Sequence, residues 1–314
     1  MKLSESIPEI HRRYRGLTDG VLANYIPELA RVDPALFAVS AVTTDGRVFS
    51  AGDADSWFTV QSTAKAFALA AAFDHVAADE ISARVGFEPT GEDFGSISKL
   101  DRMQRPMNPM VNSGALSICS MLKARFGSDC EEKIFGLLGV AAGAPMEIDD
   151  AVFASEMATT DGNRAIVYLL SKFKVLAADP IETLDFYVKL CSLRATATTL
   201  ATMGATLANR GVNPMTGKAS FGPERIRDVL SVMLTCGMYN YAGQWVFDVG
   251  VPAKSGVSGA VLMIVPGVAG IVVYSPPLDK NGTSVRGISV ARELSSRHSF
   301  HLLDVNCPHT PDDL

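Results

Sequence analysis

The chain of 314 residues is long enough for one large domain or two closely joined ones, and its 47% hydrophobic and 20% charged residues are ordinary for a soluble globular enzyme. A formal net charge of −6 leaves no basic field to attract nucleic acid, and no apolar run long enough for a membrane span escapes charge, proline or glycine. Five scattered cysteines (Cys119, Cys130, Cys191, Cys236 and Cys307), with no C-x-x-C pair, read as reduced thiols of a cytosolic protein rather than a disulfide frame or zinc site.

The opening MKLSESIPEIHRRYRG lacks the apolar core of a secretory signal, so the expected location is the cytoplasm. Residues 4–30 predict one or two amphipathic helices, ending before Asp33-Pro34. Two strands are expected over 36–43 and 47–51, with a hairpin turn at Asp45-Gly46, where positive φ is tolerated. From 58 to 238 the pattern is mostly helical, clearest over 114–126, 161–173, 181–193 and 195–210. Asp179-Pro180 caps one of these helices, Gly211 ends another, and Pro223-Glu224 opens a further one through Leu234. After Gly243 come short β-type runs over 244–249, 260–265, 270–275 and 285–290, with turns at Pro266-Gly267 and Asn281-Gly282, then a helix over 291–297. The expected fold class is α+β. Residues 1–57 and 243–314 would form a subdomain with an antiparallel sheet covered by terminal helices, and 58–242 a mainly helical subdomain, with the site at their junction.

The stretch FTVQSTAKAFALAAAFDH, residues 58–75, places Ser62 and Lys65 three apart at the head of an alanine-rich helix. On a helix those positions share a face, so the Lys65 amine reaches the Ser62 hydroxyl and can activate it as a nucleophile. Ser-x-x-Lys recurs at Ser96/Lys99, Ser120/Lys123 and Ser171/Lys174, so the spacing alone decides nothing. Ser62 differs because an apolar, strand-like segment precedes it, a buried type of helix follows it, and Lys254-Ser255-Gly256 stands far downstream. Serine β-lactamases and penicillin-binding proteins pair the same two elements.

Longer stretches narrow this further. YIPELA (25–30), VGFEPTG (85–91), RPMNPMVNSGA (105–115), TCGMY (235–239), GVPAKSGVSGAVLMIVPG (250–267) and VYSPPLDKNGTSVRG (273–287) accompany the Ser62 segment. Together they resemble the serine-dependent glutaminases of bacterial type over nearly the whole chain, with Ser113 in place of the usual alanine. The resemblance implies the serine β-lactamase/DD-peptidase-like fold, no metal or organic cofactor, and L-glutamine as the small-molecule substrate. It also implies a homo-oligomer, dimer or tetramer, without nucleic acid or membrane partners. Ser62 would be the nucleophile and Lys65 its general base, made neutral by desolvation and by the second cation Lys254. The backbone N–H groups of Ser62 and Val257 would form the oxyanion hole. Tyr187 and Tyr239 match tyrosines beside the nucleophile, either of which can relay a proton to leaving ammonia. Glu156 matches the position pairing with the substrate ammonium, and Tyr25, Asn112 and Asn163 those binding its carboxylate. Two competing readings are a β-lactamase-like amide hydrolase with another substrate and a non-catalytic amino-acid sensor. The Glu156/Asn163 pair and the lack of an export signal weigh against the first, the intact Ser62, Lys65, Tyr239 and Lys254 against the second.

Overall fold

The computed structural model describes residues 2–92 and 100–313. The Ser96/Lys99 recurrence therefore lies outside the described residues. Helix α1 (Leu3–Tyr14) leads to the hairpin β1 (Ala38–Thr43) and β2 (Val48–Gly52), then to the short strand β3 (Phe58–Thr59). Helices α2 (Ala64–His75), α3 (Ala78–Arg84), α4 (Asn112–Phe126), α5 (Cys130–Ala142), α6 (Asp150–Thr159), α7 (Asp161–Lys172) and α8 (Pro180–Cys191) follow. Next come β4 (Arg194–Ala195), α9 (Ala197–Ala208), α10 (Ile226–Cys236) and α11 (Ala242–Asp248). Strands β5 (Ala253–Ser255), β6 (Ala260–Val265) and β7 (Ala269–Tyr274) and helix α12 (Val285–His298) complete the order.

The main sheet runs β2-β1-β7-β6-β5 and every pairing in it is antiparallel. Strands β1, β6 and β7 are buried along their whole length, which requires cover on both faces. Alternate residues divide between two cores. Val39, Ala41, Val261, Met263, Ile271 and Val273 pack with Ile7, Trp245 and Leu294 of the outer helices. Ala38, Val42, Leu262, Ile264 and Val272 face the large core shared with α2, α4, α8 and α9.

Helix α9 lies in the span read as helical, yet it rests on the sheet. A side chain on Gly270 would meet the Ala205 nitrogen at 2.2 Å and the Ala201 oxygen at 2.4 Å, so helix and strand touch backbone to backbone. Gly270→Ala should therefore destabilise the fold by about 3 kcal/mol, read from a chemical denaturation midpoint. Gly136→Ala, facing open space within α5, should instead stabilise it by about 1 kcal/mol.

Three sequence expectations change. Residues 15–28 are not helical; the chain there carries Gly20 at φ 102° and a lone bridge between Val21 and Leu278. The buried Arg286 holds this segment, donating to the carbonyls of Leu17 at 2.7 Å, Arg15 at 3.2 Å and Leu36 at 3.4 Å. Residues 244–249, expected as a strand, fall largely within α11: Ala242, Trp245 and Val249 share its buried face, and the Trp245 indole donates to the Val251 carbonyl at 2.8 Å. Residues 285–290 are likewise the first turns of α12. Its Ser284 cap accepts from the Gly287 N–H at 3.1 Å, and Ile288, Ala291 and Leu294 are buried at helical spacing. The turn at Asn281-Gly282 accordingly leads into a helix. Helices α3, α5 and α6 fall within the span expected to be mostly helical, which gave them no ranges of their own.

Candidate active site

Strand β3 pairs with β4, Phe58 opposite Ala195 and Thr59 opposite Arg194, and fixes the chain as it enters the turn Gln61–Thr63. Ser62 thus sits in a 3-10 turn just before α2 rather than on the helix proper. The Thr63 N–H donates to the Val60 carbonyl at 3.1 Å. Among the described residues the N–H groups of Ser62 and Val257 donate to no protein acceptor, so both are open to an oxyanion. Gly256 lets β5 approach: a side chain there would lie 3.1 Å from the Val60 oxygen and 3.4 Å from Thr63.

The hydrogen bond expected between Lys65 and Ser62 is not made. The Ser62 hydroxyl instead bonds the Tyr239 hydroxyl, and the Lys65 amine donates to the Tyr239 hydroxyl at 3.4 Å and to the Asn112 side-chain oxygen at 2.6 Å. Tyr239 reaches that place from a backbone at φ 55°, at the junction between α10 and α11. Tyr187, buried on α8, donates to the same Asn112 oxygen at 3.3 Å. The Lys254 amine lies 3.9 Å from the centre of the Tyr239 ring and donates to the Ser255 carbonyl at 2.8 Å.

Burial governs the charges here. It lowers the Lys65 amine to about 8, against the pull of Cys191, Glu156 and Cys119. Lys254 is pushed well below the ordinary lysine range, first by burial and then by the Lys65 charge. Burial also raises both tyrosine hydroxyls, so each stays protonated and able to donate.

Beside this line lies a cavity of about 170 Å³ bounded by Tyr25, Asn112, Glu156, Thr160, Asn163 and Ile166. It brings together the four residues expected to bind the substrate backbone groups. Asn112 donates to Asn163 at 3.0 Å, and Asn163 to Thr160 at 2.9 Å. Burial raises the Glu156 carboxyl to about 7, against the hydrogen bond from Gln61 and the charge of Lys65. The Tyr25 residue is 47% exposed, while its hydroxyl is turned inward, where burial raises its pKa. Val257 borders a separate cavity of about 210 Å³ with Trp57, Phe58 and Tyr274.

Two neighbours lie outside the set of residues expected at the site. Gln61 bonds Glu156, and Cys191 is buried near Lys65 with its thiol pushed up to about 12. At that pKa it is no nucleophile. The Ser120 hydroxyl is occupied, donating to the Ser117 carbonyl at 2.7 Å and accepting from Ala177 at 3.2 Å.

The family model described as Glutaminase matches residues 20–303. The chain belongs to the glutaminase family. A Nostoc glutaminase is 44% identical over 96% of this glutaminase and 90% of its own length. The putative glutaminase 3 of Caenorhabditis elegans is 41% identical over 94% of it, covering 51% of the worm protein. Among solved structures, the probable glutaminase ybaS superposes with a TM-score of 0.93 at 37% identity, covering 96% of this chain and 98% of the other. Mglu in its glutamate form gives 0.89 at 37% identity, over 96% and 70%. The β-lactamase-like architecture expected from the sequence is the fold of this glutaminase. No helix of the described residues is long and apolar enough to cross a membrane.

Proposed function

We propose that this glutaminase hydrolyses L-glutamine to L-glutamate and ammonia through a glutamyl ester on Ser62. One observation carries the reading: the hydrogen-bonded line Ser62–Tyr239–Lys65 ends at Asn112, which also borders a cavity holding one carboxylate and two side-chain amides. That cavity suits a substrate bearing both an ammonium and a carboxylate. Glu156 pairs with the first; Asn112, Asn163 and Tyr25 donate to the second.

The Ser62 oxygen attacks the side-chain amide carbon, its proton passing to Tyr239 while Tyr239 hands its own to neutral Lys65. The N–H groups of Ser62 and Val257 stabilise the oxyanion as it forms. Its collapse breaks the carbon–nitrogen bond, with the proton returning from Lys65 through Tyr239 to leaving ammonia. Water then attacks the ester by the same relay and releases glutamate. Lys254 keeps the Tyr239 ring in place from its face, and Tyr187 orients Asn112. The same reading has the enzyme in the cytosol as a dimer or tetramer. Five free, buried thiols support the location; the family resemblance supports the assembly.

The test is release of ammonia and glutamate from L-glutamine by the purified protein, with L-asparagine and a chromogenic β-lactam alongside. Turnover of the β-lactam alone would replace the reading. Glu156→Gln is expected to raise KM for L-glutamine about 100-fold, the loss of a charge-assisted contact, with kcat within a few-fold. In the wild type KM should fall as pH rises through about 7, because Glu156 becomes charged there. Steady-state kinetics on the variant should show that dependence gone.

A further inference from the structure

A buried amide stands immediately before the nucleophile and outside the line of proton transfer. Gln61 is 3% exposed, and its backbone sits at φ 48°, in the left-handed region that a non-glycine residue occupies only when its surroundings impose it. The side-chain nitrogen donates to the Thr59 hydroxyl on β3 and to the Glu156 carboxylate on α6, both at 3.3 Å. One amide thus ties the strand that sets the nucleophile turn to the helix that carries the ammonium partner.

We propose that Gln61 is a positioning residue for recognition of the substrate ammonium, holding the Glu156 side chain in register with Ser62. This rests on the function proposed above and adds a residue to it. The groups facing Glu156 are Lys65 from α2, Tyr25 from the segment before β1, and Tyr187 and Cys191 from α8. Tyr187 is bonded to Asn112, and Lys65 to Asn112 and Tyr239, so neither donates to the carboxylate. Among the described residues Gln61 supplies the hydrogen bond that the Glu156 carboxylate receives. A hydrogen bond given to the ionised form favours that form, and here it is the first influence opposing burial. Because Gln61 and Ser62 are adjacent, a substrate held at its ammonium by Glu156 presents its side-chain amide to Ser62 in one frame.

Gln61→Met keeps the length and the backbone preference and removes the donor. The acid limb of kcat/KM for L-glutamine should then move up by about one pH unit. KM at pH 7 should rise about tenfold, and kcat at saturation should stay within a few-fold. Gln61→Glu, which sets a second carboxylate beside Glu156, should move the same limb further. The limb set by Lys65 should stay in place in both. Thermal melting confirms that each variant is folded, and Gln61→Glu carries the test if the methionine variant is not. Calorimetric binding of L-glutamate across the same pH range reads the Glu156 limb without turnover, so an enzyme inactive on glutamine is told apart from a misassigned Gln61. An acid limb that stays where it is in a folded variant, or a fall in kcat with KM unchanged, would overturn the proposal.

Discussion

Ser62→Ala is expected to cut kcat for L-glutamine by about 10⁵-fold, as removal of a catalytic serine does elsewhere, while glutamine binding weakens only a few-fold. The asymmetry follows from the layout. The groups assigned to the substrate ammonium and carboxylate line their own cavity and do not depend on the Ser62 hydroxyl. The alanine variant keeps the backbone N–H groups of residues 62 and 257, hence some stabilisation of the transition state, and loses the covalent route. Ammonia release gives the first quantity and calorimetry the second. Acid-quenched wild type should also carry a glutamyl adduct on the peptide containing Ser62. A variant that retained full turnover would remove Ser62 from the mechanism.

Lys65→Met is expected to cost about 10³-fold to 10⁴-fold in kcat, the range for a positioned general base, and to abolish a pH dependence. With its amine at about 8, Lys65 is mostly protonated at neutral pH, so wild-type kcat should rise with pH until about 8 and then level off. Lys65→Arg should not restore the rate, since guanidinium stays charged. Stability should move in the opposite sense. The folded-state pKa lies below the ordinary value, so a charged Lys65 opposes folding most strongly below about 8, and the penalty fades as pH approaches 10.5. Lys65→Met removes that penalty, and Asn112 keeps Tyr187 as a donor. Its melting temperature should therefore exceed the wild-type value at pH 6, with the gap closing in alkali. Unchanged kcat would reassign the base, for which Lys254, its amine 3.9 Å from the centre of the Tyr239 ring, is the next candidate.

Parts of the architecture were legible because local pattern and tertiary demand agree. Strands β1, β6 and β7 read as β-type runs and are strands, and helices α4, α7, α8 and α9 begin within a few residues of their expected starts. The failures cluster where they disagree. Trp245, Val246 and Phe247, like Val285, Ile288 and Val290, are β-favouring types, and propensity alone reads them as strands. They are helical because burial at three- and four-residue spacing outweighs a propensity difference of about 1 kcal/mol.

The sequence by itself determined the family, through long ordered matches, and with it named the candidate residues from Tyr25 to Val257. Side-chain type and chain position suffice for that. Only the tertiary structure decided how those residues connect. Tyr239, not Ser62, receives the Lys65 hydrogen bond, because the α10–α11 junction brings its phenol between them from far along the chain. Lys65 loses its proton readily above all because α2 is buried at that point. Gln61 reaches Glu156 because an unusual backbone angle turns it inward. Burial and long-range contact set protonation and hydrogen-bond order, and neither is a property of a local stretch of sequence.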